Sequence, residues 1–136
     1  MKFKCVKSTN DIAIRLIKKK NLSPTLIFSE TQKKGRGTMG KKWISQKGNL
    51  FLSIFFKIDQ KRINFKQFAI LNAYLLKKLL SQLISKNIII KWPNDLLYNK
   101  EKICGILQEV IFFNQKSYLI IGIGINTNIV PKNKSF

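Results

Sequence analysis

TQKKGRGTMGKKWISQKGN, residues 31–49, is the stretch on which the reading of this chain turns. It holds four of the seven glycines, six of the 26 basic residues and one of the two tryptophans. No apolar period runs through it, so it reads as a long loop between regular elements. Irregular loops longer than about 12–15 residues inside a compact domain are usually functional. Gly35, Gly37 and Gly40 permit tight turns and leave amide N–H groups open to an anion. Arg36, Lys41 and Lys42 add positive charge around those amides. Such a loop suits a phosphate or a carboxylate, although composition alone supports a disordered basic loop equally well.

Upstream, Phe3 to Val6 reads as a short edge strand and Ser8 opens a helix to about Lys20, with Ile12, Leu16 and Ile17 buried. Ser8 and Asp11 have capping-box spacing, so capping alone accounts for Ser8, Thr9 and Asn10. Thr25 to Ser29 is a strand after Pro24. Downstream, the apolar run FLSIFF within Leu50 to Ile58 predicts a strand covered on both faces. Asn64 and Gln67 cap a long helix to about Ser85, whose buried face is expected at Phe65, Phe68, Ala69, Asn72, Leu75, Leu76, Leu79 and Leu83. Ile88 to Lys91 is a strand that Pro93 stops, and Asn94-Asp95 makes a turn. Leu96 to Tyr98, Lys102 to Phe113 and Ser117 to Ile125 are further strands joined by tight turns. This order predicts an α+β fold: a mixed, mostly antiparallel sheet with helices packed on one face.

At 136 residues the chain is one domain, and 45% hydrophobic content with ten Phe argues for a packed core. It lacks a long apolar span and an N-terminal apolar segment, so neither a membrane helix nor a signal peptide is expected. Cys5 and Cys104 are far apart and outside any C-x-x-C motif, which fits a reducing cytoplasm. There is no histidine, which excludes Ser-His-Asp and Cys-His chemistry. Only six carboxylates are present, and no two form an acid/base pair by spacing. Catalysis must therefore rest on positioning and on charge stabilisation by Lys and Arg. The net charge of +20 invites a nucleic-acid reading. However, Lys, Ile and Asn make up 56 of the 136 residues and the basicity is spread along the chain, as an A/T-rich coding bias produces. Diffuse charge of this kind is no sign of a specific nucleic-acid site.

Four segments break the periodicity, at 8–11, 31–49, 91–95 and 122–126, and each lies at the end of a strand or helix. In this order they resemble the catalytic domain of biotin protein ligases. GRGTMGKKW at 35–43 is similar to the family's glycine-arginine loop, and KWPND at 91–95 to its central motif. KICGILQE at 102–109 follows it, GIGINTN at 122–128 is similar to the last motif, and STN at 8–10 to the first helix start. The resemblance covers Ser8 to Asn128 and implies a class II synthetase-like fold, with residues 1–136 forming one catalytic domain.

The activity implied is ATP-dependent ligation of biotin, with Mg²⁺, to a lysine of a biotin carboxyl carrier protein through biotinyl-5′-adenylate. By position, Ser8, Thr9, Asn10 and Gln32 would hydrogen-bond the biotin head group, with Thr38 and Gly105 beside it. Gly35, Arg36 and Gly37 would cradle its carboxylate and the adenylate phosphate, and Arg36 and Lys102 would be the catalytic cations. Lys41, Asn94, Asp95 and Asn126 would face the nucleotide, with Asn126 also near the metal. Trp43 would either cover the bound ligand or only anchor the loop, with anchoring the favoured role, and Cys104 would be an inert core residue. Thr38 stands where the family usually has a second arginine that retains the adenylate, so leakage of the intermediate is expected. The chain stops soon after the last motif and has no helix-turn-helix segment ahead of the first, so no repressor role is expected. The alternatives are a reduced relic that binds biotin only, a lipoate–protein ligase of the same fold and, last, a basic nucleic-acid-binding domain.

Overall fold

The computed structural model describes residues 1–62, 64–84 and 86–127. The expected helix end at Ser85 and Asn128 of the last motif lie outside them. Among the described residues seven strands and two α-helices follow one another as β1 (Lys2–Val6), α1 (Thr9–Lys18), β2 (Thr25–Gln32), β3 (Leu50–Ile58), α2 (Phe65–Leu83), β4 (Ile89–Lys91), β5 (Asp95–Tyr98), β6 (Glu101–Phe113) and β7 (Lys116–Ile125). They form one sheet in the order β1-β2-β3-β7-β6-β5-β4. β1 and β2 run parallel, as a crossover through α1 requires, and the remaining neighbours are antiparallel. The mixed α+β architecture is the one expected. β2 runs three residues past the predicted Ser29, carrying Gln32 to the mouth of the 31–49 loop.

The two helices, expected on one face, are divided between both faces of the sheet. The pleat shows this directly, because alternate residues of a strand point to opposite sides. Ser53 and Gly122 are register partners, as are Leu107 and Gly122, so these three share a face with Phe55, Tyr118 and Ile120. Against this face α1 buries Ile12, Ala13 and Ile17. The residues between them, Ile54, Leu119, Ile121 and Cys104, belong to a second core with Ala73 and Leu80 of α2. Asn72 of α2 donates to Gln108 Oε1 at 2.8 Å, fixing α2 on that second face. An unbroken apolar run such as FLSIFF is what a sheet covered on both faces needs, and that requirement parts the helices.

The contact stripe of α2 also differs from the expectation. Ala73 and Leu80 are buried, whereas Leu75, Leu79 and Leu83 are 50%, 51% and 72% exposed. This helix carries apolar residues on two adjacent stripes, and periodicity alone does not say which one meets the sheet. Its capping box is complete, with Asn64 Oδ1 accepting from Gln67 N and Gln67 Oε1 from Asn64 N. The α1 cap is formed by Ser8 Oγ accepting from Asp11 N at 3.4 Å, while the Asp11 carboxylate faces Arg36.

Burial pushes the Cys104 thiol up to about 12, with Asp95 raising it further and Lys102 opposing, whereas Cys5 is exposed. Near pH 8 the thiolate is the reactive form and buried Cys104 has almost none of it. A thiol reagent at pH 8 should therefore label Cys5 alone in the native protein and both cysteines after denaturation. Rapid native labelling of Cys104 would contradict this core.

Candidate active site

Backbone laid bare by glycine shapes the α1 face of the sheet where β6 meets β7. Gly105 and Gly124 are cross-strand partners, and a Cβ on either would overlap the Trp43 indole. The ring lies on this two-glycine platform and holds the 31–49 loop against the sheet, in keeping with the anchoring role expected of Trp43. Trp43 N donates to Gly35 O at 2.9 Å, and a Cβ at Gly35 would strike Trp43 O, so the turn itself requires glycine there. A Cβ at Gly122 would overlap the Asn10 side chain; glycine there lets the start of α1 lie on β7.

These contacts enclose a cavity of about 590 Å³, within the usual range for a small-molecule site. Of the residues singled out from sequence, Ser8, Thr9, Asn10, Gln32, Arg36, Gly37, Thr38, Lys41, Asn94, Asp95, Lys102, Gly105 and Asn126 all line it. Gly35 stands behind the wall, under Trp43 O. Chain segments about a hundred residues apart thus converge on one space. Gly105 lines it only beside the indole that covers its Cα.

A hydrogen-bonded chain of side chains links the lining residues Gln32, Thr9, Asn10 and Arg36 through Ser53 and Glu109 behind them. Ser45 Oγ accepts from Gln32 Nε2 at 3.0 Å, and Gln32 Oε1 accepts from Thr9 N and Thr9 Oγ1 at 2.8 and 3.1 Å. The Thr9 amide is a donor only, so it fixes which way the Gln32 amide points. The buried Ser53 hydroxyl stands between Thr9 Oγ1 and Asn10 Oδ1. Asn10 Nδ2 donates to Glu109 Oε2 at 2.7 Å. Glu109 then receives Arg36 end-on, with Nη1 and Nη2 donating to its two oxygens at 2.8 and 2.9 Å. Asp11 Oδ1 lies 3.0 Å from Nη2 as well. The hydrogen bond to Glu109 foremost, and the charges of Glu109 and Asp11, raise the Arg36 pKa against the opposing effect of burial. Arg36 therefore stays a cation at every working pH.

Lys102, which also lines the cavity, is no ordinary surface lysine: its side chain is 17% exposed. Its Nζ lies 2.9 Å from Asp95 Oδ1 and 5.2 Å from the Trp43 ring centroid, over the π face. Asn94 is occupied in a two-way link to β6, its Nδ2 donating to Ile106 O and its O accepting from Ile106 N. Asn126 Nδ2 donates to Lys102 O at 3.0 Å, and its Oδ1 accepts from Asn49 Nδ2 at 3.4 Å. Asn49 Oδ1 in turn accepts from Thr127 N, tying the far end of the loop to the end of β7.

The sequence reading left out Ser53, Asp11 and Glu109. Ser53 carried a signal, being the one hydroxyl inside FLSIFF. Asp11 stood out only as a capping position and Glu109 only as the end of KICGILQE; their meeting through Arg36 has no local signal, because 98 positions separate them. Among the described residues no three His, Cys, Asp or Glu side chains are grouped to hold a metal. The Asn126 amide is engaged with Lys102 and Asn49, and Asp95 with Lys102. Among the described residues these donors do not by themselves make a Mg²⁺ site.

Known proteins resemble this chain in sequence and in fold. The bifunctional ligase/repressor BirA of Bacillus subtilis is 34% identical over 128 residues, covering 93% of this chain and 39% of that protein. The chain thus spans about two fifths of the length of that relative. A biotin protein ligase from Aquifex aeolicus, solved with biotin and ATP, is similar with a TM-score of 0.78 and 34% identity, over 97% of this chain and 54% of its own. The biotin acetyl coenzyme A carboxylase synthetase of Helicobacter pylori, solved with biotinylated ATP, has a TM-score of 0.80 and 29% identity, over 98% and 62%. Residues 2–126 match the model of the biotin/lipoate A/B protein ligase family, and the chain belongs to that family.

Proposed function

We propose that this protein activates biotin with ATP and joins it to a lysine of a biotin carboxyl carrier protein. The observation that carries the reading is one cavity that brings together neutral hydrogen-bonding side chains, Gln32, Thr9 and Asn10, tied behind the wall by Ser53, and cations at Arg36, Lys41 and Lys102. That layout matches a ligand with a polar uncharged head and an acid tail. The biotin, ATP and biotinylated-ATP complexes of the Aquifex and Helicobacter proteins support the same ligands here. The acetyl coenzyme A carboxylase in the Helicobacter protein's name supports the carrier as acceptor.

In the first step a biotin carboxylate oxygen attacks the α-phosphorus of ATP, the bond to the β-phosphate oxygen breaks, and pyrophosphate leaves. In the second, the carrier lysine amine attacks the acyl carbon, the acyl–phosphate C–O bond breaks, AMP leaves, and the amine proton passes to solvent. Neither step needs a covalent enzyme intermediate, which suits a chain without histidine. Ser8, Thr9, Asn10 and Gln32 take the head group, with Thr38 and the backbone at Gly37 and Gly105 alongside. Arg36 and Lys102 hold acid and phosphate oxygens as negative charge builds on them, and the backbone at Gly35 shapes the turn that presents Arg36. Lys41, Asn94, Asp95 and Asn126 stand toward the nucleotide; a Mg²⁺ ion would be held mainly by the nucleotide's own phosphates, beside Asn126, and would offset their charge. Residues 1–136 act as one catalytic unit in the cytoplasm, where unpaired Cys5 and Cys104 remain reduced.

Titration calorimetry with biotin, with and without ATP, tests the reading. Biotin binding with pyrophosphate release on adding ATP is expected. Biotin binding without pyrophosphate would leave only a biotin-binding relic, and no binding would remove the proposal. Lys102→Ala should lower the rate of adenylate formation by roughly a hundredfold, as loss of one charge-stabilising group does elsewhere, with a smaller effect on biotin affinity. Thr38 presents no guanidinium to the phosphate, so purified protein with biotin and ATP should biotinylate lysines of unrelated bystander proteins. Thr38→Arg should suppress that labelling, and labelling confined to the carrier in both forms would contradict adenylate leakage.

A further inference from the structure

A guanidinium is planar and offers two edges on which a carboxylate or phosphate can set two oxygens. The end edge of Arg36, Nη1 and Nη2, is filled by Glu109, which Asn10 Nδ2 holds in place at 2.7 Å. The side edge, Nε and the second hydrogen of Nη2, is only half used. Asp11 Oδ1 lies 3.0 Å from Nη2, while Nε is buried with no hydrogen-bond partner among the described residues. A buried N–H without an acceptor is costly, so this edge favours a better-fitting acid than Asp11 provides.

Charge points the same way. Two carboxylates on one guanidinium leave that cluster with one negative charge in excess, so an anion seated on Arg36 itself meets local repulsion although Lys41 and Lys102 line the same cavity. One of them must give way, and the surroundings select which. Glu109 makes both contacts of a fork and is fixed by Asn10. Asp11 makes one contact, is a third exposed, and lies in the first turn of α1. Turned into solvent it remains beside the positive end of the helix dipole.

We propose that Asp11 is a placeholder on the side edge of Arg36, which the acid group of the substrate takes over with two oxygens while Glu109 remains as the residue positioning the guanidinium. The inference rests on the ligase reading and specifies how that site admits an acid. Before entry, Asp11 holds the loop cation in orientation. On entry the acid satisfies Nε and Nη2 together, and Asp11 moves to water.

The test uses the three arginines of the chain, Arg15, Arg36 and Arg62. In proton–nitrogen NMR, the Nε–H signal absent from Arg36→Lys identifies Arg36. Biotin should move this signal downfield and slow its exchange with water, whereas biotinamide, with the same head group and no charge, should leave it in place. Asp11→Asn, measured by calorimetry, should raise biotin affinity by about threefold to tenfold through loss of one competing charge and change biotinamide affinity by less. An unmoved Nε–H in biotin-saturated protein, or equal effects of Asp11→Asn on both ligands, would overturn the placeholder and leave the ligase reading standing. If the wild-type protein binds neither ligand, both fall together.

Discussion

The absence of side chains at Gly105, Gly122 and Gly124 is the constraint on which the rest of the molecule depends. With a Cβ at Gly122, the start of α1 would be lifted off β7 and Asn10 would lose Ser53 and Glu109. With one at Gly105 or Gly124, Trp43 would have no seat, and the loop that carries Arg36 would lose its anchor. Glycine within a strand weakens it through entropy and lost packing. The sheet bears that cost in its centre, where β7 is paired on both sides from Ser117 to Ile125. Long ladders there supply what the glycines forgo. An edge strand as short as β1 would not tolerate the same substitution pattern.

Once the backbone is bare, the polar residues become interdependent. The hydroxyls and amides from Ser45 to Asn10 satisfy one another across the loop, α1 and β3, and the chain ends on the ion-paired Glu109. Buried polar groups are tolerated in such numbers only when each has a partner. A ligand entering this wall must therefore exchange hydrogen bonds with it, group for group. A head group with matching donors and acceptors can do so, and an apolar ligand of equal size cannot.

Local chemistry was readable from the residues to the extent that it was local. Turn and cap signals placed all seven strands and both helices within a few residues, because Pro93, Gly-bearing loops and the Asn64–Gln67 box act on their immediate neighbours. The side of the sheet taken by each helix was not readable, since FLSIFF is apolar on both faces and α2 has two apolar stripes. In the site, motif order was enough to gather thirteen residues around one cavity. Partners were a different matter. That Arg36 would share Glu109 and Asp11, and Lys102 would lie against Asp95, depends on the register of β5, β6 and β7 and on the seat of α1. A single sequence holds no local signal for contacts across such distances.

The distribution of charge shows where the chain treats electrostatics as design and where as background. It has 26 basic residues and only six acids. Three of those acids, Asp11, Asp95 and Glu109, are engaged with two cations at the cavity, Arg36 and Lys102. The other two ion pairs among the described residues, Lys2–Glu30 and Arg62–Asp59, are longer and exposed, the kind that contribute little. If the net charge served to attract nucleic acid, acids would be least useful beside the most buried cations. Their concentration there instead orients Arg36 and Lys102 and keeps them from binding whatever anion is nearest. An entering acid must compete with a carboxylate already in place, so it is selected by geometry as well as by charge. Selection of that kind suits a site that takes one acid at a defined position and is of no use to a surface meant to hold any polyanion.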